Sequence, residues 1–191
     1  MPKSTVLLPA KALQPARPQF SVAGSPPTDT STRALAPSLS GQQLTAFVRQ
    51  LALDPRSWSE LVEHRRDRWW TRLIGTQSLD VWLITWPLDV ATELHDHGDS
   101  WAAFTVVEGE LVEHTAFPGG RRLSSRRWRP GSVGVVPPGD IHDVFNSDSR
   151  PAASIHAYSP PLQSMTYYAQ SGGVLRPTRT TTPESTNGWA P

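Results

Sequence analysis

Apolar positions along this chain change their period once. From Leu44 through Phe47, Val48 and Leu51 to Leu53 they recur at near-helical spacing, which predicts an amphipathic helix. Ser40 stands where an N-cap belongs. Pro55 opens a second expected helix, with Trp58, Leu61 and Val62 on one face, ending in the charged run at residues 64–68. Proline in a first helical turn gives up no hydrogen bond. From Trp69 onward the period becomes that of strands. Residues 81–86, 101–107 and 110–117 are rich in β-branched and aromatic side chains, and Glu108-Gly109 is expected as a tight hairpin turn between the last two. Shorter strands are expected at 131–136, 143–145 and 153–158, punctuated at Pro118-Gly119-Gly120, Pro130-Gly131 and Pro137-Pro138-Gly139. Many short strands at regular intervals point to a sandwich or barrel.

The ends read differently. Residues 1–37 hold seven prolines and almost no aromatics, and are expected to be disordered or loosely packed. Residues 174–191 are expected to form a flexible tail, which leaves a folded domain at 38–173. A length of 191 residues suits one such domain. Most of the eight tryptophans lie between Trp58 and Trp128 and can supply its core.

Charge adds little: a net +1 gives no reason to expect nucleic acid or a membrane as partner. With no cysteine, disulfides and thiolate metal sites are excluded, and the composition fits a cytoplasmic, soluble protein. No apolar stretch approaches the roughly 20 residues needed to span a bilayer, and Pro9 breaks the short run Val6-Leu7-Leu8.

The chemistry lies in the histidines. In a strand, positions i and i+2 share a face with Cα atoms about 6.6 Å apart, so His95 and His97 can converge on one metal. Alone the pair is equally a polar patch on an exposed strand. The wider text changes the picture. His95-x-His97 followed by Gly109 resembles a first cupin motif, with Ala102 in the slot where that motif carries glutamate. Gly131, Pro137-Pro138-Gly139, His142 and Asn146 resemble the second cupin motif at its fixed positions. The resemblance covers roughly residues 69–165. It implies a mainly β fold, a double-stranded β-helix or jelly-roll-like barrel, here with two N-terminal helices. It also implies one metal on His95, His97 and His142. Imidazoles suit Fe, Zn, Cu and Ni alike, so residue type alone leaves the metal open.

A narrower resemblance is to the type I cysteine dioxygenases. Four stretches carry it: Trp70-Thr71-Arg72, residues 95–100 (HDHGDS), Gly139-Asp140-Ile141-His142, and residues 154–161 (SIHAYSPP). The resemblance implies Fe(II) as cofactor, a small thiol and O2 as reactants, and a sulfinic acid as product. It implies that Arg72 holds the substrate carboxylate, which a planar guanidinium can bind with two parallel hydrogen bonds. It implies that Ser154, His156 and Tyr158 form the catalytic line, with Tyr158 also touching substrate. These three alternate and so share one strand face. Some family members carry a cysteine crosslinked to the catalytic tyrosine; its slot here is Ala102, so no crosslink can form. Arg72 points to cysteine as substrate. The alternatives are another thiol carboxylate such as 3-mercaptopropionate, or a non-catalytic metal-binding cupin acting as a sensor. A monomer is expected.

The remaining candidates read as surface. His64 lies in a charged run and His114 on a strand past the turn. Arg121, Arg122, Arg126, Arg127 and Arg129 read as a solvated loop.

Overall fold

The computed structural model describes residues 38–116 and 123–182. The expected N-terminal segment, the end of the tail, the Pro118 turn, Arg121 and Arg122 lie outside them. Helix α1 (Gly41–Ala52) begins where expected. Ser40 Oγ accepts from the Gln43 N–H while Gln43 Oε1 accepts from the Ser40 N–H at 2.9 Å, so two first-turn donors are satisfied reciprocally. The second helix does not form. Two 3₁₀ turns, Pro55–Ser57 and Ser59–Leu61, take its place. The charged run after them offers no apolar face to hold a longer helix against the core.

Ten strands follow among the described residues: β1 (Trp69–Gly75), β2 (Asp80–Trp86), β3 (Trp101–Glu108), β4 (Leu111–Ala116), β5 (Ser124–Trp128), β6 (Val133–Val136), β7 (Ile141–Phe145), β8 (Ala152–Ser159), β9 (Met165–Ser171) and β10 (Val174–Thr181). One sheet has the order β1-β2-β8-β3-β6; the others are β5-β4-β7 and β10-β9. Residues 90–96 join the last two. His95 bridges His142 of β7 and Tyr167 of β9, and Ala91 bridges Phe145. The result is two antiparallel layers, as the sandwich-or-barrel expectation requires.

The expected Glu108-Gly109 hairpin is not one. β3 pairs with β8 and β6, β4 with β5 and β7, so the turn carries the chain from one layer to the other. Gly109 has φ +72°, and a Cβ there would lie 2.8 Å from the Pro151 carbonyl oxygen, so only glycine makes this crossing.

The core lies on both faces of the larger sheet. Between the layers pack Ile84, Trp86, Phe104, Val106, Leu111 and Trp128. Leu44 and Val48 of α1 cover the outer face against Val81, Leu83, Ala103 and Ile155. This two-sided cover explains why every residue of the central strand β8 is buried.

Two expectations are corrected at the surface. Residues 174–182 are not a flexible tail. β10 pairs with β9 along its length and Leu175 is buried, so the folded domain continues past 173. Of the basic cluster, Arg126 and Arg127 lie not in a loop but on strand β5, an exposed basic edge. Arg127 and Arg129 pair with Glu110, and Arg126 lies 4.0 Å from the Trp128 ring centroid.

Candidate metal centre

His95 and His142 form a hydrogen-bonded antiparallel pair. The His95 N–H donates to the His142 carbonyl at 2.8 Å and the reverse bond is 2.9 Å. Opposed residues in such a pair send their side chains to the same face. Here that face is the interior of the barrel. His97 joins them from the turn ahead of β3. All three imidazoles are buried, and one nitrogen from each lies within 4.8 Å of the others. Nε2 of His97 and Nε2 of His142 face each other at 3.4 Å.

The tautomers follow from what stands behind each ring. His95 Nδ1 lies 2.7 Å from the Glu93 carbonyl oxygen, which only accepts, so Nδ1 carries the proton and Nε2 is a bare donor. His142 Nδ1 donates to Glu113 Oε1 at 2.8 Å, and Trp128 Nε1 donates to the other oxygen at 2.9 Å. Glu113 is buried. His97 Nδ1 is buried without a hydrogen-bond partner among the described residues. Burial, then the neighbouring histidines, hold His95 and His97 well below the usual histidine pKa. Three buried imidazoles with converging ring nitrogens are a ligand set for a divalent transition metal, so the residues present fit one.

Beside the histidines the third expected group is only partly connected. Trp86 Nε1 donates to Ser154 Oγ at 2.8 Å, and Ser154 Oγ lies 2.8 Å from His156 Nε2. The hydroxyl proton has no other acceptor among the described residues and goes to His156 Nε2. Burial depresses the His156 pKa to about 3, so the ring is neutral. The line stops there. Tyr158 makes no hydrogen bond to His156; their rings lie nearly parallel at 6.5 Å. Tyr158 is placed instead by edge-on packing against His97 at 5.1 Å. Burial raises the Tyr158 pKa well above the ordinary value of 10, so its hydroxyl stays protonated. Ala102, at the slot for both the glutamate and the crosslinking cysteine, lies directly opposite Tyr158 on β3.

Arg72 is not placed at this centre. It occupies the interior-facing row with Trp82 and His156, but its Nε donates to Asp80 Oδ1 at 2.5 Å and its side chain is 50% exposed. It lines neither cavity at the histidines. The arginine that lines both is Arg68, which the sequence placed in the charged run ending the second expected helix. Its alternation with Trp70 and Arg72 was the available signal. Arg68 sits against the rings of Trp70, at 5.7 Å, and Trp86, at 5.3 Å. Two cavities meet at it. A small one of about 10 Å³, room for one water, is lined by Arg68, Thr92, His95, His142, His156 and Tyr158, among others. An outer cleft of about 230 Å³ is lined by Arg68, Thr92, His95, Met165, Tyr167 and Arg179, among others.

Of the other histidines, His64 meets Glu108 at 3.0 Å. His114 meets Asp143 at 3.0 Å and Phe145, half-buried rather than in open solvent. Neither approaches the centre.

A double-layered β-barrel with three buried, convergent histidines defines a metal-binding cupin. Among solved structures, an uncharacterised protein with a double-stranded β-helix domain from Klebsiella pneumoniae is 18% identical, with TM-score 0.49, covering 57% of this chain and 86% of that one. A cupin superfamily protein from Desulfitobacterium hafniense is 14% identical, with TM-score 0.46, covering 54% and 87%. The family model for cysteine dioxygenase type I matches residues 38–171, and the chain belongs to that family. Cysteine dioxygenase type 1 of Danio rerio is 24% identical over 71% of this chain and 73% of its own length; that of Homo sapiens is 24% identical over 69% and 71%. The protein is accordingly an oxidoreductase, a thiol dioxygenase. Among the described residues no helix is long and apolar enough to cross a membrane.

Proposed function

We propose that the protein binds one Fe(II) on His95, His97 and His142 and uses O2 to oxidise cysteine to cysteine sulfinic acid. The observation that carries this reading is the shared small cavity: two of the three ligands, His95 and His142, line it together with His156 and Tyr158. The reaction balances without a further reductant. R–SH and O2 give R–SO2H; both oxygen atoms end on sulfur, which loses the four electrons that O2 gains.

Bound iron supplies a Lewis-acidic centre that favours the thiolate over the thiol and gives O2 a one-electron partner. The chain supplies the rest. Buried Trp86, Phe104 and Ile84 exclude bulk water around the histidines. Trp86 and Ser154 fix His156 as a neutral ring with its proton on Nδ1. Tyr158 offers a protonated hydroxyl whose donor stays available to neutral and mildly alkaline pH. The curated relatives, whose name is cysteine dioxygenase type 1, support cysteine as substrate. We read the enzyme as a cytoplasmic monomer, a setting that its cysteine-free composition suits.

A second reading, 3-mercaptopropionate as substrate, is favoured by one observation. The argument for cysteine from Arg72 weakens when that side chain is tied to Asp80. Oxygen uptake by the Fe(II)-loaded protein, with the two thiols in parallel and mass spectrometry of products, decides. A product heavier by two oxygen atoms from cysteine supports the first reading, faster turnover of 3-mercaptopropionate the second. No uptake with either thiol at full iron occupancy leaves a metal-binding cupin and withdraws both.

A further inference from the structure

We propose that the slot between the two β layers at their unpaired edges, on the far side of Glu113 from the metal centre, is a second binding site, for a small zwitterion of the α-amino-acid type.

The topology opens this slot. β5 is the last strand of one layer and β6 the last of the other, and the two do not pair. A cavity of about 600 Å³ lies between them, within the range of about 300–1,000 Å³ usual for small-molecule sites. The register of β4 against β5 sets Glu113 opposite Arg126 and Thr115 opposite Ser124, so these four share one face, and all four line the slot. Val133 and Val135 of β6 line it from the other layer, and Asp140 lines it from the turn ahead of β7. The slot has no lining residue in common with either cavity at the histidines. Glu113, bonded to His142 Nδ1, is the partition between the slot and the metal centre.

Charge selects the ligand. The Arg126 guanidinium lies 4.0 Å from the Trp128 ring centroid, so one face is covered while the N–H edge stays free for an anion. Glu113, directly opposite, does not pair with it, because one carboxylate oxygen accepts from His142 and the other from Trp128. Asp140 is half-buried, and its carboxylate accepts no hydrogen bond and forms no ion pair among the described residues. Two opposite charges thus line one cavity without pairing with each other. An anion alone would leave Asp140 unpaired, and a cation alone would leave Arg126 unpaired. A molecule carrying both a carboxylate and an ammonium group satisfies the two together through charge-assisted hydrogen bonds. The hydroxyls of Thr115 and Ser124, without hydrogen-bond partners among the described residues, are left for the ligand's other polar atoms.

The test titrates Fe(II)-loaded full-length protein, held without oxygen, by calorimetry with L-alanine, L-alaninamide and propionate. These carry both charges, the ammonium alone and the carboxylate alone. None has a thiol, so the outcome is independent of the reaction proposed above. Alanine should bind with a Kd on the order of 1 mM and about tenfold more tightly than either single-charge probe. Arg126→Gln and Asp140→Asn should each weaken alanine binding about tenfold, the loss of one charge-assisted hydrogen bond, with iron content and melting temperature unchanged. Arg127→Gln, whose side chain is bonded to Glu110 instead, should bind alanine like wild type. Alanine bound equally by wild type, Arg126→Gln and Asp140→Asn would be held elsewhere, on the iron included, and would overturn the proposal. Propionate bound as tightly as alanine would make the slot a plain anion site and overturn it too, as would no measurable alanine binding by wild type.

Discussion

Glu113 Oε1 lies 2.8 Å from His142 Nδ1, and both side chains are buried. The usual cupin glutamate is absent, with Ala102 in its slot, yet a carboxylate stands one residue removed from the metal. It fixes the His142 tautomer and increases the basicity of Nε2. Glu113→Gln should lower metal affinity about 10- to 100-fold. Glu113→Ala should cost more, because Trp128 Nε1 also loses its acceptor. Competition titration with a metal indicator measures both. Unchanged affinity in Glu113→Ala would mean that the carboxylate only fills space.

The buried neutral histidines make the metal-free fold acid-sensitive. His156 has a folded pKa of about 3 against an ordinary 6.5, and His95 and His97 are shifted in the same direction. Between those values the unfolded chain binds protons that the folded chain does not, so stability falls as pH falls. The contribution is complete above about pH 6.5 and is lost progressively toward pH 3. For His156 alone the span is on the order of 5 kcal/mol. Urea titrations of the metal-free protein from pH 7 to 4 should show this slope, and His156→Gln should flatten it. A pH-independent midpoint would show that these rings are accessible to protons in the folded state.

The same contacts show what a sequence can and cannot reveal. His95, His97, His142 and the shared face of Ser154, His156 and Tyr158 were legible because short fixed spacings encode them. Glu113 was not. Its partner is 29 positions away, and the two meet only through the register of β4 against β7. Trp86 meets Ser154 across 68 positions for the same reason. The β9–β10 hairpin was hidden by composition. Its threonines and Pro177 read as a loose tail, although Gly172-Gly173, both at positive φ, marked the turn. Pro177 is tolerated because β10 is an edge strand with a register shift at that point.

That hairpin forms part of the wall of the outer cleft, and Leu175 fastens it. The side chain is buried with Ala116 and Ile141 and contacts Leu94 and Tyr168. Leu175→Ala should cost about 2–4 kcal/mol and lower the melting temperature by roughly 5–15 °C. A freely moving tail would show no change. Differential scanning calorimetry at fixed metal occupancy distinguishes the two.

Tyr158 separates metal binding from chemistry. Its ring packs on His97 and it stands outside the three-histidine ligand set, so Tyr158→Phe should retain full metal occupancy. What it loses is a hydrogen-bond donor in a dry cavity, next to where charge develops on oxygen and sulfur. Removing one such donor from an active site typically costs about 100- to 1,000-fold in kcat, and a loss of that size is expected here. The raised pKa of the wild-type hydroxyl adds a second signature. A tyrosine with the ordinary pKa of 10 would switch off as pH approached that value; the buried one keeps its proton. Wild-type kcat should therefore show no tyrosine-linked decline near pH 10 while the fold persists, and Tyr158→Phe should have the same alkaline limb at a lower level. A decline with apparent pKa near 10 that disappears in Tyr158→Phe would mean that water reaches this hydroxyl in the working enzyme, and the dry-cavity account would fall.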